Sequence, residues 1–368
     1  MSYEHPENNA EYKGLTVNKG VGHVPIVNPY FKPRRRSLLS TDQYVEGILA
    51  GDRAMLSRAV TLVESRLPSH RAKAQEVIEQ CLPYAGNSIR IGITGVPGAG
   101  KSTSIDAFGM HVIKAGHKLA VLAIDPSSER SKGSILGDKT RMERLSKSEE
   151  AFIRPSPSAG SLGGVARKTR ESIILCEAAG FDTIFVETVG VGQSETAVHS
   201  MVDFFLLIQL AGTGDELQGI KRGIMEMADG IVINKADGDN IKPAELAAQH
   251  FRNALHLFPP AESGWTPEVL TYSGFYDLRI KEVWDMIDKF MVFVKENGYF
   301  YRHRNQQTKY WMYETINETL KNSFYNNSKI LEKLPKVEHA ILENEMSSFA
   351  GANELLQLFY SDIKLLDE

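Results

Sequence analysis

The stretch IRIGITGVPGAGKSTSIDAF, residues 89–108, places a glycine-rich loop ending in Gly-Lys-Ser between an apolar run of strand length and a helical pattern. Gly95, Gly100, Lys101 and Ser102 fit G-x-x-x-x-G-K-[ST] at every fixed position, in the strand–loop–helix setting that gives the motif its meaning. Glycines let backbone N–H groups approach phosphate oxygens, and the helix that follows adds a favourable dipole at its N-terminus. The expected nucleotide contacts in this loop are Gly95, Pro97, Gly98, Ala99, Gly100, Lys101, Ser102 and Thr103. In such a loop the lysine, Lys101, neutralises β- and γ-phosphate oxygens and the hydroxyl of Ser102 ligates Mg²⁺. A glycine-rich turn that holds nothing is the bland alternative, and the correct flanks argue against it.

Outward from the loop, residues 89 to about 273 alternate strand-length apolar runs with helical stretches. The runs are IRIGIT, KLAVLAID, AFIRP, DTIFVET, FFLLIQL, GIVINKAD and EVLTYS. Their hydrophobicity is continuous rather than alternating, which implies strands covered on both faces and a mostly parallel sheet. The pattern predicts a doubly wound α/β domain of the P-loop type. A further helix runs from about Ile280 to Asn297, and TKYWMYETINETLKNSF beyond it repeats Trp311, Ile316, Leu320 and Phe324 at helical spacing. Before the domain, Thr41 to about Tyr84 reads as helical, with Tyr44, Val45, Ile48 and Leu49 on one face and Asp52 and Ser69 at N-cap positions. The expected division is an extended arm (1–40), a helical segment (41–86), the nucleotide-binding domain (87–297) and a helical C-terminal arm (298–368).

Three later motifs narrow the nucleotide. VINKAD, 232–237, ends a strand candidate with Asn234, Lys235 and Asp237 in an N-K-x-D pattern; its carboxylate can accept from the N1 and exocyclic amino protons of guanine, which adenine does not present. TYSGF, 271–275, fits the loop that completes a base pocket, with Ser273 and Gly274 in the key places. FVETVGVGQSE, 185–195, is a strand ending in an acidic residue followed by Thr-x-Gly, where a γ-phosphate sensor belongs: the Gly190 amide for the phosphate, Glu187 for Mg²⁺ through water. Gln193 is not directly after the glycine, so it is not a Ras-type water-positioning group, and slow intrinsic hydrolysis follows. Asp125, in AIDPSS, and Asp138, in ILGDKTRM, are further candidates for the Mg²⁺ shell; an N-cap or turn role before Pro126 is the alternative for Asp125. The metal set is thus Ser102, Asp125, Asp138 and Glu187, and the catalytic candidates are Lys101, Glu187 and Asp138, with charge stabilisation by Lys101 and the metal dominant.

Composition sets outer limits. In 368 residues, 24% are charged and 42% hydrophobic, and the formal net charge of −4 gives no general reason to bind nucleic acid or an anionic membrane. The basic run KPRRR, closing at Arg36, reads as a solvated tail rather than a nucleic-acid contact. Two cysteines, Cys81 and Cys176, and no signal-like apolar stretch near Met1 point to a reducing, cytoplasmic setting without a disulfide framework.

Together GITGVPGAGKST, LAIDPSS, GSILGDKTRM, PSPSAGSLGGVARKT, FVETVGVGQSE, GDELQGIKRGIMEMAD and NKAD resemble the MeaB/MMAA family, formerly called ArgK, densely over residues 89 to 240. These are GTPases of the SIMIBI class that chaperone adenosylcobalamin-dependent methylmalonyl-CoA mutase. The resemblance implies GTP and GDP with Mg²⁺ as ligands, homodimerisation through the C-terminal arm, and nucleotide-dependent gating of cofactor delivery to that mutase or a related one. It also implies switch segments around Asp138, after Glu187 with Gln193, and in GTGDELQGIKRG, where Asp215 and Lys221 couple partner to nucleotide. Ala211-Gly212-Thr213 replaces the Pro-Gly with which this last segment often opens. Two alternatives stand beside it: a P-loop kinase linked to amino-acid transport, as the ArgK label proposed, and a nickel-inserting GTPase, for which ten scattered histidines offer no recognisable ligand set. The glycine-rich 158–173 segment reads as a second anion-binding helix start or, preferably, a tight link beside a partner surface.

Overall fold

A strand that is apolar on both faces must be covered on both faces, and this is what the apolar runs do. The computed structural model describes residues 38–65, 67–125, 141–157, 162–188, 194–212 and 222–364. Seven strands, β1 (Ile89–Gly95), β2 (Leu119–Asp125), β3 (Ala151–Pro157), β4 (Thr183–Thr188), β5 (Phe204–Leu210), β6 (Gly230–Asn234) and β7 (Glu268–Thr271), form one sheet in the order β3-β2-β4-β1-β5-β6-β7. Every pairing is parallel. All six residues of β4 and all five of β6 are buried, so the sheet lies inside the molecule as continuous hydrophobicity requires.

The chain moves outward on one side of β1 through β2 and β3, returns to insert β4, then crosses to β5. That reversal places the carboxyl ends of β1 and β4 side by side, Ile93 opposite Glu187, at the topological switch point where doubly wound sheets bind ligands. One face is covered by α4 (Lys101–Lys114) and α10 (Ile280–Glu296), whose Phe108 and Phe290 are almost wholly buried. Phe290 meets Phe204 edge-on at 5.0 Å and Trp265 at 5.5 Å, and burial of one such ring contributes about 1.5–3 kcal/mol. Phe251 of α9 (Ile241–Leu255) and Met225 of α8 (Arg222–Met227) cover β6 and part of β5.

Among the described residues three α-helices precede the sheet. α1 (Thr41–Leu49) starts at a capping box, Ser40 Oγ accepting from Gln43 N–H at 3.2 Å and Gln43 Oε1 accepting from Ser40 N–H at 3.0 Å. Tyr44, Val45 and Ile48 face inward, but Leu49 is exposed, because it ends the helix beside the turn at Gly51. Asp52 caps α2 (Arg53–Glu64), accepting from Ala54 and Met55 N–H. Ser69 is not a cap: α3 (Pro68–Cys81) begins one residue earlier, with Pro68 in the first turn, where its missing N–H costs nothing. Cys81 and Cys176 are buried free thiols.

Beyond α10, Gly298 (φ 72°) turns the chain into α11 (Tyr299–Tyr325), 27 residues of which only Gln307 and Trp311 are buried. α12 (Ser328–Leu342) and α13 (Ser348–Lys364) follow and pack on each other through Ile330, Val337, Leu355 and Phe359. Among the described residues no helix is long and apolar enough to cross a membrane.

Candidate functional site

The loop between β1 and α4 has the conformation its glycines allow and other residues would forbid. A Cβ on Gly95 would stand 2.2 Å from Ile208 O on the neighbouring strand. Gly100 sits in the left-handed region (φ 83°) as the residue before the helix, and a Cβ there would meet Asn234 Nδ2 at 2.8 Å. Pro97 and Gly98 are exposed at the loop tip, Ala99 is buried beneath it, and Ser102 and Thr103 occupy the first turn of α4, half-buried. The Lys101 ammonium folds back to donate to Gly95 O at 2.8 Å. Burial lowers its pKa, while the negative charges of Glu187 and Glu195 pull the other way. A cation, the first amides of a helix and a left-handed glycine bend lie side by side here, a combination that suits oxyanions.

Glu187 is buried on β4 beside this loop, and Thr188 Oγ1 donates to Thr94 Oγ1 at 2.9 Å, joining the ends of the two strands. Asp125 is the last residue of β2. Hydroxyl and carboxylate oxygens are the donor chemistry Mg²⁺ takes, so Ser102, next to Lys101 in the first turn of α4, and Glu187, whose charge acts on Lys101, fit such an ion. Asp138, Gly190, Gln193, Asp215 and Lys221 lie outside the described residues. Among the described residues no group of three or more His, Cys, Asp or Glu side chains could hold a metal ion.

Asn234 and Asp237 divide their labour. Asn234 Nδ2 donates to Ala99 O at 2.7 Å, and its Oδ1 accepts from the N–H groups of Lys235 (2.8 Å) and Gly274 (3.0 Å). It is a buckle between the phosphate loop and the 271–275 loop, wholly occupied within the protein. Lys235 takes a left-handed turn (φ 61°), after which Asp237 accepts from the buried Ser273 hydroxyl at 2.6 Å. The serine thereby fixes the carboxylate's rotamer and leaves its second oxygen for another donor. Gly274 packs so closely on α4 that a Cβ would stand 3.2 Å from Ser104 Oγ.

Two groups of residues here escaped the sequence reading. Ser104 Oγ is 2.5 Å from Tyr272 OH and donates to Gly100 O, and the Tyr272 ring stacks on Phe108 at 5.3 Å. The second is Arg144 in α5 (Glu143–Ser146), which donates from Nε to Asp106 at 2.6 Å and grips Asp277 with both terminal nitrogens at 2.5 and 3.0 Å. This ties the loop after Gly274 to the helix after the phosphate loop. Neither group has a sequence motif; a serine one turn into the motif's helix and an aspartate amid apolar neighbours were the available signals.

Such a loop, set at the switch point of a parallel sheet with an N-K-x-D strand end two strands away, defines a P-loop nucleotide hydrolase. A family model described as methylmalonyl-CoA mutase-associated GTPase MeaB matches residues 56–329. The chain belongs to that family and is a GTPase. A Caulobacter vibrioides protein is 51% identical over 321 residues, spanning 87% of this chain and 98% of that one. The GTPase ArgK of Escherichia coli is 47% identical (83% and 92% of the two chains), and the mitochondrial methylmalonic aciduria type A homolog of Mus musculus 44% (87% and 80%). A crystal structure described as an LAO/AO transport system kinase superposes with a TM-score of 0.70 at 39% identity, covering 88% of this chain and all of that one.

Proposed function

We propose that this GTPase is a chaperone of a cobalamin-dependent acyl-CoA mutase, methylmalonyl-CoA mutase or a relative, and that its nucleotide state gates adenosylcobalamin delivery. The observation that carries this reading is the seam between α7 (Ser194–His199) and the arm. α7 starts directly after residues 189–193, which follow the Glu187 strand. Its far end is held by α11: Trp311 Nε1 donates to Ser200 O at 3.0 Å, Gln307 Nε2 to Val202 O at 2.7 Å, and Arg304 grips Asp203 with two bonds of 2.7 Å. A rearrangement near Glu187 therefore reaches the arm through one short helix, the kind of element a γ-phosphate orders and its loss releases.

In this reading Lys101 neutralises the β- and γ-phosphate oxygens, the loop amides hold them, and Gly190 bonds the γ-phosphate. Ser102 and Glu187, with Asp125 and Asp138, would hold Mg²⁺, which when bound offsets phosphate charge. Asp237, fixed by Ser273, accepts the guanine N1 and amino protons. Gln193 positions no water, so hydrolysis is slow until a partner contributes, and Asp215 and Lys221 transmit that contact. Residues 298–368 act as a dimer arm: Tyr310, Tyr313 and Leu320 of α11 are exposed, and an apolar row on one helix is what a second copy covers.

GTP hydrolysis, with ATP as control, measured alone and with a cobalamin-dependent mutase, tests the proposal. Stimulation confined to GTP, with a stable complex, is expected. Unchanged GTP turnover and no complex would remove the client, and transfer of labelled γ-phosphate to an acceptor other than water would favour a kinase.

A further inference from the structure

A cavity of 610 Å³ opens between α3, α6 (Leu162–Ala178) and α11, and none of residues 95–103 lines it. Four arginines do, Arg90, Arg167, Arg170 and Arg304, against the carboxylates of Glu171 and Glu177. Two arginines are committed. Arg90 chelates Glu177 at 2.9 and 3.0 Å, and Arg304 chelates Asp203. The other two are held more loosely. Arg167 forms an ion pair with Glu171, but at 3.8 Å from its Nε, beyond hydrogen-bonding range. Arg170 has one hydrogen bond, Nη2 to Thr308 Oγ1 at 3.3 Å, and among the described residues no ion pair. The buried Nε of Arg167 and Nη1 of Arg170 have no partner.

An idle buried donor costs about 1–3 kcal/mol, more on a charged group, so natural proteins keep few of them. Burial, with Arg90 and Arg304 close by, already brings Arg170 down to about 10. Four guanidiniums against two carboxylates leave the lining positive, and two of its donors lack acceptors. The remaining wall is apolar: Ile78, Leu82, Ile174, Met312 and Ile316. The 158–173 segment, whose sequence allowed an anion at its helix start, presents the idle donors one to two turns further along, at Arg167 and Arg170.

We propose that this cavity binds a small organic anion, whose carboxylate or phosphate pairs with the guanidiniums of Arg170 and Arg167 as they turn toward it, while its hydrocarbon part lies against Ile174, Met312 and Ile316. The guanidinium fork suits either oxyanion. Because α3, the nucleotide-binding domain and the arm each supply a wall, the occupant ties all three together.

The test uses the full chain saturated with GDP and Mg²⁺, so that the phosphate loop is filled, titrated with hexanoate, hexyl phosphate and 1-hexanol by calorimetry and thermal melting. Saturable binding of at least one anion, a raised melting temperature and no effect of hexanol are expected; the tighter of the two anions identifies the oxyanion class. Arg170→Gln should weaken that binding at least tenfold with the GTPase rate unchanged. Met312→Glu sets a tethered carboxylate on the exposed rim and should itself raise the melting temperature and block the anion; it serves where Arg170→Gln does not fold. The proposal is overturned if hexanol matches hexanoate, if Arg170→Gln binds as well as the parent, or if Met312→Glu leaves both stability and binding unchanged. It is also overturned if Arg170→Gln converts a dimer to monomers, which would make a second copy's carboxylate the occupant.

Discussion

The phosphate loop and the long helix α11 spend their residues in opposite ways. Around the loop the bracing side chains are engaged from within: Lys101 on Gly95, Asn234 on Ala99 and Gly274, Ser104 on Gly100 and Tyr272. Bracing of this kind before a ligand arrives keeps the ordering cost of binding low. On α11, by contrast, the groups that bond inward cluster between His303 and Trp311, and beyond them apolar side chains such as Ile316 and Leu320 face solvent. One region is finished by its own chain, whereas the other is finished at its root and open along its length. In the function proposed above, nucleotide chemistry falls to the first kind of surface and protein association to the second.

The largest test of that contrast lies at the root. Arg304→Ala strips the charged partner from Asp203, whose side chain is 1% exposed and among the described residues keeps only the Arg90 N–H, and should cost about 3–5 kcal/mol in denaturant unfolding; a loss below 1 kcal/mol would mean the arm is not anchored there. Next comes Lys101→Ala, for which GTP turnover should fall about 10²–10³-fold at saturating nucleotide with circular dichroism unchanged. Turnover within tenfold of the parent would break the picture of a preorganised cation. Asp237→Asn should weaken GTP about 10–100-fold, the equivalent of about 1.5–3 kcal/mol for a charged hydrogen bond. Inosine triphosphate, without the exocyclic amino group, should lose much less, and equal losses would place the carboxylate elsewhere than on that edge.

The smallest effect sits on the seam between the two regions. Burial and the neighbouring His303 hold His199 down to about 4, below its unfolded value of about 6.5. Above pH 6.5 both states are neutral there and nothing is gained or lost. As pH falls below 6.5 the unfolded chain takes a proton that the folded chain refuses, so stability drops until about pH 4. Measured against His199→Phe, the parent should lose on the order of 2 kcal/mol across that window. Asp229, which burial raises to about 7, acts with the opposite sign in both proteins, so only their difference carries the slope. A gap that does not change with pH would show His199 to be solvated.

The fold was readable because its signals are local and redundant. Seven apolar runs became seven strands, and the helix predicted from about Ile280 to Asn297 spans Ile280–Glu296. The loop glycines were readable through their motif, although the neighbours that exclude a side chain at Gly95 and Gly100, Ile208 and Asn234, lie far along the chain. Ser69 misled because serine and proline compete for a helix start, and Pro68 took it. Leu49 misled because it is the last residue of its helix, where the chain turns away at Gly51 and Thr41 takes the fourth buried place. What stayed hidden was pairing across long separations: Arg144 with Asp106 and Asp277, or Arg304 with Asp203, 101 residues apart. No periodicity encodes which charges meet once the sheet has closed. Asn234 shows the middle case, in which the motif located the residue while only the fold revealed that it buckles two loops.

Trp311 is one of three tryptophans in the chain, and its indole is buried with its N–H on Ser200 O, immediately past the end of α7. The other two, Trp265 and Trp284, stand against α10 or within it. The molecule therefore carries its own optical reporter at the joint between nucleotide loop and arm. With Trp265 and Trp284 replaced by phenylalanine, the emission colour of the remaining indole would read out whether that joint is shut or open, in real time and without any attached dye.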